Sequence, residues 1–266
     1  MRFRLSRKSL AVPYFIFMIL FVILPILIIV YYAFTDSDGY FTWAAVISFF
    51  TSTTKLSILF VSLLVGLFNT LICLIIAYPV AYILANPRLN RNAILVTLFV
   101  IPMWINFVLR TGATRDLLGA MGLNGGDHPV VSTLIGMAYN YLPFAVLPLY
   151  STMLKIDQGQ VEAAKDLGCN PVQVFTKNII PQSMPGIVAA SQMCFMPTMS
   201  SYVIADTMSE GKVMIFGNAI YTSFSLSDWN NGSFMALIML IIIFVSMLVT
   251  KKFTRADSYV RGGGLW

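Results

Sequence analysis

Residues 9–35, 56–87, 92–109, 129–154, 178–205 and 229–250 form six intervals without a single Asp, Glu, Lys, Arg or His. Crossing a hydrocarbon core of about 30 Å takes roughly 17–25 apolar residues in a helix, so each interval is long enough to span a bilayer. The chain is 58% hydrophobic and only 11% charged, against about 25% charged in a soluble domain. It has too few charges to cover a water-facing surface. A β-barrel would instead show alternating segments of about 10 residues. The expected fold is therefore all-α, a polytopic membrane protein with six transmembrane helices in a single domain over residues 1–266. The spans are placed at about 11–34, 57–84, 93–110, 131–153, 184–207 and 233–250.

Lys and Arg set the orientation. With the N-terminus in the cytoplasm, thirteen fall inside: Arg2, Arg4, Arg7, Lys8, Arg88, Arg91, Lys155, Lys165, Lys177, Lys251, Lys252, Arg255 and Arg261. Four remain outside: Lys55, Arg110, Arg115 and Lys212. The bias follows the positive-inside rule and puts both termini in the cytoplasm. The net charge of +6 is spread over these membrane flanks and calls for no nucleic-acid partner. The first apolar run, about 11–34, exceeds the h-region of a cleavable signal peptide and reads as a retained span. Cys73, Cys169 and Cys194 are odd in number and imply no disulfide framework.

Pro25, Pro79, Pro102, Pro143, Pro148 and Pro197 lie inside the predicted spans. Each removes a backbone hydrogen bond and bends its helix, which hydrocarbon tolerates only against neighbouring helices or a wet cavity. Together they point to a bundle bent around a pathway. On the outside, Gly39 to Thr54 carries Tyr40, Phe41, Trp43, Phe49 and Phe50, a set suited to an interfacial element. Val213 to Ser227 is apolar but too short to span, and Asp116 to Pro129 reads as an exposed polar loop.

Lys155 to Gln182 is the long cytoplasmic connection. Asp157 suits the cap of a helix containing Glu162, Ala163 and Ala164, and Gly168 suits the positive φ that ends one. Asn170-Pro171 reads as N-cap and first residue of a second helix, with Gln173 at the capping-box position. Glu162-Ala163-Ala164, then Gly168, then Ile179-Ile180-Pro181 resembles the cytoplasmic coupling motif of ATP-binding-cassette importer permeases. Asn178 stands where that family expects an apolar residue, and Ile180 replaces a leucine. Further stretches are similar to spermidine/putrescine importer permeases. They are Pro102 to Thr111, Gly122-Leu123-Asn124, Tyr141 to Tyr150, Tyr202 to Asp206 and Gly211 to Asn218. There, Gly112-Ala113-Thr114 replaces an aromatic-rich continuation.

The resemblance implies a type I permease fold that couples to a partner through Glu162, Ala163, Ala164, Gly168 and Pro181. It implies ATP-binding-cassette ATPase subunits, a second permease subunit that is a paralogue, an extracellular polyamine-binding protein and surrounding membrane lipid. The sequence contains no G-x-x-x-x-G-K-[ST] stretch, so ATP and Mg belong to the ATPase partner and this chain is a non-catalytic subunit without cofactor. The lone His128 has no cysteine near it and makes no metal site.

A polyamine path needs carboxylates and aromatic faces. Asp206 is the acid nearest the interior of a span; Tyr202 and Glu210 lie one turn to either side, and Trp104 stands beside Pro102. Asp206, Glu210, Tyr202 and Trp104 are the predicted substrate path. Arg110 opposes a cation path and suits an acidic or docking partner. The rival readings are the same machine carrying ferric ion or a small anion, and an ATPase-independent channel or secondary transporter.

Overall fold

The computed structural model of the chain describes residues 11–36, 38–86 and 94–255. Arg2, Arg4, Arg7, Lys8, Arg88, Arg91 and Arg261, which carry much of the predicted orientation, lie outside the described residues, as do the side chains of Lys252 and Arg255. Among the described residues the chain is helical throughout, with one isolated antiparallel bridge between Thr35 and Phe41.

Helix α1 covers 11–33, α2 is Ala44–Thr51, and α3 is Thr53–Ala85. Helix α4 (Ile94–Trp104) ends in a 3-10 turn, and α5 is Phe107–Ala120. Then follow α6 (Pro129–Met153), α7 (Gln158–Asp166), α8 (Pro171–Ser200), α9 (Tyr202–Ser209), α10 (Phe216–Ser225) and α11 (Trp229–Arg255). Four of these helices, α1, α3, α6 and α11, are long and apolar enough to cross a membrane. The pairs α4/α5 and α8/α9, bent by 96° and 66°, bring the number to six if each pair is one span.

The prolines do not all act as expected. Pro79, Pro143, Pro148 and Pro197 lie within uninterrupted α-helix. Pro25 and Pro181 each follow a π-helical turn that ends two residues earlier, Ile19–Ile23 in α1 and Phe175–Ile179 in α8. A π turn widens the backbone ring, which relieves the clash between a proline ring and the carbonyl four residues back. Only Pro102 sits at a sharp break. There the 3-10 turn Ile101–Trp104 runs into extended Ile105, and Asn106 starts α5 afresh by accepting from Val108 N at 2.9 Å. The predicted third span, 93–110, is thus two helices, and α5 takes residues 116–120 out of the predicted loop.

The described residues form two compact units, those within 1–57 and 219–242 and those within 58–218 and 243–266. In the first, α1 leaves its apolar side chains exposed almost to its end. Phe34, Phe41, Trp43, Phe49 and Phe234 meet edge-on or stacked at centroid distances of 5.4–6.3 Å, which accounts for most of the predicted aromatic element. Asn230 Nδ2 donates to the carbonyls of Tyr32, Ala33 and Thr35, closing the end of α1.

In the second unit, small side chains let helices approach. Cys73, Ala77 and Ala81 of α3 pack with Ala138, Ala145 and Val146 of α6 and with Ala190 and Cys194 of α8. Small residues at such contacts are the usual means of close packing between membrane helices. At Gly186 an added Cβ would lie 2.7 Å from Thr152 Oγ1 and 3.1 Å from the Pro148 carbonyl oxygen. Gly186→Leu is expected to force α6 and α8 apart and cost about 1–3 kcal/mol, read as a lower thermal midpoint; an unchanged midpoint would show that the two helices yield freely.

Candidate functional site

The connection between α6 and α8 is built by local hydrogen bonds that the sequence spells out. Asp157 caps α7, its Oδ1 accepting from Gly159 N at 2.9 Å. The helix ends where Gly168 adopts φ +82°, with Gly168 N donating to Lys165 O (2.9 Å) and Cys169 N to Ala164 O (3.1 Å). That paired pattern is a Schellman ending. A Cβ at Gly168 would meet nothing within 4 Å, so the backbone angle alone calls for glycine there. Both bonds of the capping box form at the start of α8, Gln173 N to Asn170 Oδ1 (2.8 Å) and Asn170 N to Gln173 Oε1 (3.0 Å).

Val161 of α7 is buried with Val174 and Ile179 of α8, which seats the short helix on the longer one. Polar contacts complete the seat: Asp157 N donates to Gln182 Oε1 (3.2 Å), and Gln182 Nε2 to Asn178 Oδ1 (2.5 Å). Asn178 Nδ2 in turn donates to Gln160 O (3.2 Å). Asn178, where an apolar residue was expected, therefore ties α8 to the backbone of α7. Glu162 and Ala163 are exposed, Ala164 is half-buried, and Pro181 is exposed in the first turn after the π turn. Sequence reasoning passed over Leu167 and Val172, which flank Gly168 and are 85% and 69% exposed. Two bare apolar side chains beside a helix-ending glycine, in an otherwise polar stretch, were the available signal.

The two helix breaks face a second feature, a cavity of about 550 Å³ lined by residues of α4, α5, α6, α8 and α9. Trp104 and Tyr202 both line it. Asp206 and Glu210 do not. Asp206 is exposed further along α9, and Glu210 lies past its end in the left-handed conformation at φ +53°. The expected single helical face through Tyr202, Asp206 and Glu210 is thus broken after Ser209. Gly112, Ala113 and Thr114 do not line the cavity either, so the missing aromatic stretch leaves its wall intact.

Arg110, read from sequence as an outer residue suited to an acidic or docking partner, is buried at 8% exposure. Its Nε and Nη2 donate to Asn140 Oδ1 (2.9 and 2.7 Å) and its Nη1 to the Pro102 carbonyl (2.7 Å). The guanidinium lies 5.5 Å from the Tyr139 ring centroid. Asn140 is held in turn through Nδ2, which donates to Gly136 O (2.8 Å) and Thr111 Oγ1 (3.3 Å). Arg110 thus binds the carbonyl at the α4 break to the middle of α6.

The family of binding-protein-dependent transport system inner membrane components matches residues 60–256. The chain belongs to that family. The permease is accordingly a non-catalytic, multi-pass inner-membrane component of such a transport system. It is 32% identical over 265 residues to the spermidine/putrescine transport system permease protein PotB of Haemophilus influenzae, covering 91% of this chain and 93% of that protein. Against the PotB of Escherichia coli K12 the identity is 31% over 259 residues, covering 90% and 94%. The fold also matches a chain in the crystal structure of a bacterial alginate ABC transporter in complex with an alginate pentasaccharide-bound periplasmic protein, with a TM-score of 0.72 at 12% identity and coverage of 97% and 96%. That likeness shows a shared all-helical fold.

Proposed function

We propose that this permease is a membrane subunit of an ATP-driven importer of spermidine and putrescine. The observation that carries the cargo is similarity to proteins named for that transport across nine-tenths of both chains. The connection from Glu162 to Gly168, with Pro181 setting the start of the following span, docks on an ATP-binding-cassette ATPase that binds ATP and Mg. Its two capped helices, hydrophobic seat and polar ties let it move with α8 as one piece, so a push from the ATPase reaches the α8/α9 bend. A second permease subunit, a paralogue, sits alongside within membrane lipid. A polyamine-binding protein delivers cargo on the outer side, and both termini face the cytoplasm. Two states of the bundle, biased by the ATPase, are the least that such coupling requires.

On this reading Trp104 and Tyr202 offer ring faces to the ammonium groups at the cavity. Asp206, exposed on α9, acts earlier by attracting the cation to the mouth. An exposed charge changes encounter more than retention, so Asp206→Asn is expected to lower spermidine uptake about two- to threefold at low ionic strength and less at high salt. ATPase activity should be preserved. Uptake unaltered at both ionic strengths would remove Asp206 from the path. The cargo is tested by uptake of labelled putrescine in cells lacking their own polyamine permeases: competition by unlabelled spermidine and not by organic acids is expected, and the reverse pattern would replace the cargo.

A further inference from the structure

Phe175 stands where two parts of the structure meet. It packs against the cluster of Val161, Val174 and Ile179 that seats α7 on α8. Its ring also meets Tyr78 and Tyr82 of α3 edge-on, at centroid distances of 5.5 and 6.0 Å and interplanar angles of 84° and 88°. The two tyrosines are four residues apart and share a face of α3, and edge-to-face is a favoured aromatic geometry. Cavities of about 290 and 500 Å³ are lined by Tyr82 together with Val161 and Lys165 of α7. The loop therefore reaches α3 here through rings that cross open space.

The backbone fixes Phe175 in that place. It opens the π turn Phe175–Ile179, where Ile180 N donates to Phe175 O, and such turns occur frequently at functional sites. Beyond the turn, the hydroxyls of Tyr78 and buried Ser183 share a hydrogen bond of 2.8 Å. Helix α3 is thus held on both sides of the π turn.

From Tyr78 back to Ser62, α3 is unbroken helix, a length of about 24 Å at the rise of an α-helix. Along it Asn69 Nδ2 donates to Thr198 Oγ1 at 2.7 Å, close to the end of α8. Further out, Ser62 Oγ accepts from Phe216 N at 2.6 Å, at the start of α10. A displacement of α3 at Tyr78 is therefore felt both beside the α8/α9 bend and at α10.

We propose, on the importer reading above, that Phe175 is a positioning residue that makes α3 move with the loop. Motion imposed by the ATPase then enters the bundle along α3 as well as α8. Phe175 acts through Tyr78 and Tyr82 rather than on the cargo.

Spin labels on the full transporter, assembled in liposomes with its ATPase, second permease and binding protein, test this directly. They would sit at three exposed positions, Ile83→Cys on α3, Val172→Cys on the loop and Val249→Cys on α11. Cys169→Ser provides the background, since Cys73 and Cys194 are buried. Distances from position 249 to 172 and to 83 are compared without nucleotide and after trapping with ATP and vanadate. Both are expected to shift by about 2–5 Å, the range of helix displacements in switching proteins. Phe175→Ala should abolish the shift at 83 and keep that at 172, and Phe175→Tyr should keep both. Putrescine taken up per ATP hydrolysed should fall about tenfold in Phe175→Ala and recover in Phe175→Tyr. A variant that merely lost stability would lower uptake and hydrolysis together and leave that ratio unchanged, which overturns the proposal. A shift at 172 with none at 83 overturns it without any Phe175 variant and leaves the importer reading standing. Position 172 staying still on trapping overturns the importer reading, and the role of Phe175 with it.

Discussion

Gly168→Val is expected to reduce uptake to background while the protein still inserts at wild-type levels. The residue at 168 must hold φ +82°, a conformation that costs a non-glycine residue about 1–3 kcal/mol and a β-branched one most. Space is not at issue, because a Cβ there would meet nothing within 4 Å. The strain acts on the backbone, and it breaks the two hydrogen bonds that end α7. The turn between α7 and α8 then opens and displaces the exposed apolar side chains Leu167 and Val172. Asn tolerates the left-handed region better than other residues, so Gly168→Asn should retain a substantial part of the uptake. Equal uptake by the valine variant and wild type would show that the angle between the two short helices has no part in coupling.

Arg110→Ala is expected to be the most destabilising single truncation in the second unit. It leaves Asn140 Oδ1 without its guanidinium donors, weakens the hold on the Pro102 carbonyl and opens a void under Tyr139. Each buried polar group left without its partner costs about 1–3 kcal/mol, and the void adds to it. A total of about 2–5 kcal/mol should lower the thermal midpoint by on the order of 10 °C. Arg110→Lys should recover part of the loss, since an ammonium reaches one acceptor but not the forked pair. A midpoint unchanged in the alanine variant would mean that the α4 break is held by other contacts.

The sequence was most informative where structure is local. Charge-free intervals located the long helices, because burial in lipid forbids charge over a fixed length. Asp157, Gly168, Asn170 and Gln173 announced the ends of α7 and α8, because caps are made by side chains within three residues of the groups they satisfy. The two sharp bends were less legible. Six prolines stood in predicted spans, and the prolines by themselves did not tell Pro102 from Pro79 or Pro143. What distinguishes it is Arg110 reaching back to its carbonyl, and that arginine is held by Asn140, thirty residues further on. The Asn106 cap was a readable sign of a new helix start there. For the same reason Arg110 looked like an outer flank: its burial rests on partners from another helix. Tyr202 and Asp206 do lie one turn apart on α9, but Glu210 joins their face only if helical spacing is carried across Ser209, where the helix stops.

The most direct test of the importer reading is accumulation of labelled putrescine in cells carrying this permease and its polyamine-binding protein, with and without the partner ATPase. Accumulation that appears only with an ATPase competent to hydrolyse ATP is the result the coupling loop predicts. Equal accumulation without the ATPase would make Glu162 to Gly168 an ordinary connection and would contradict ATP-driven transport by this chain.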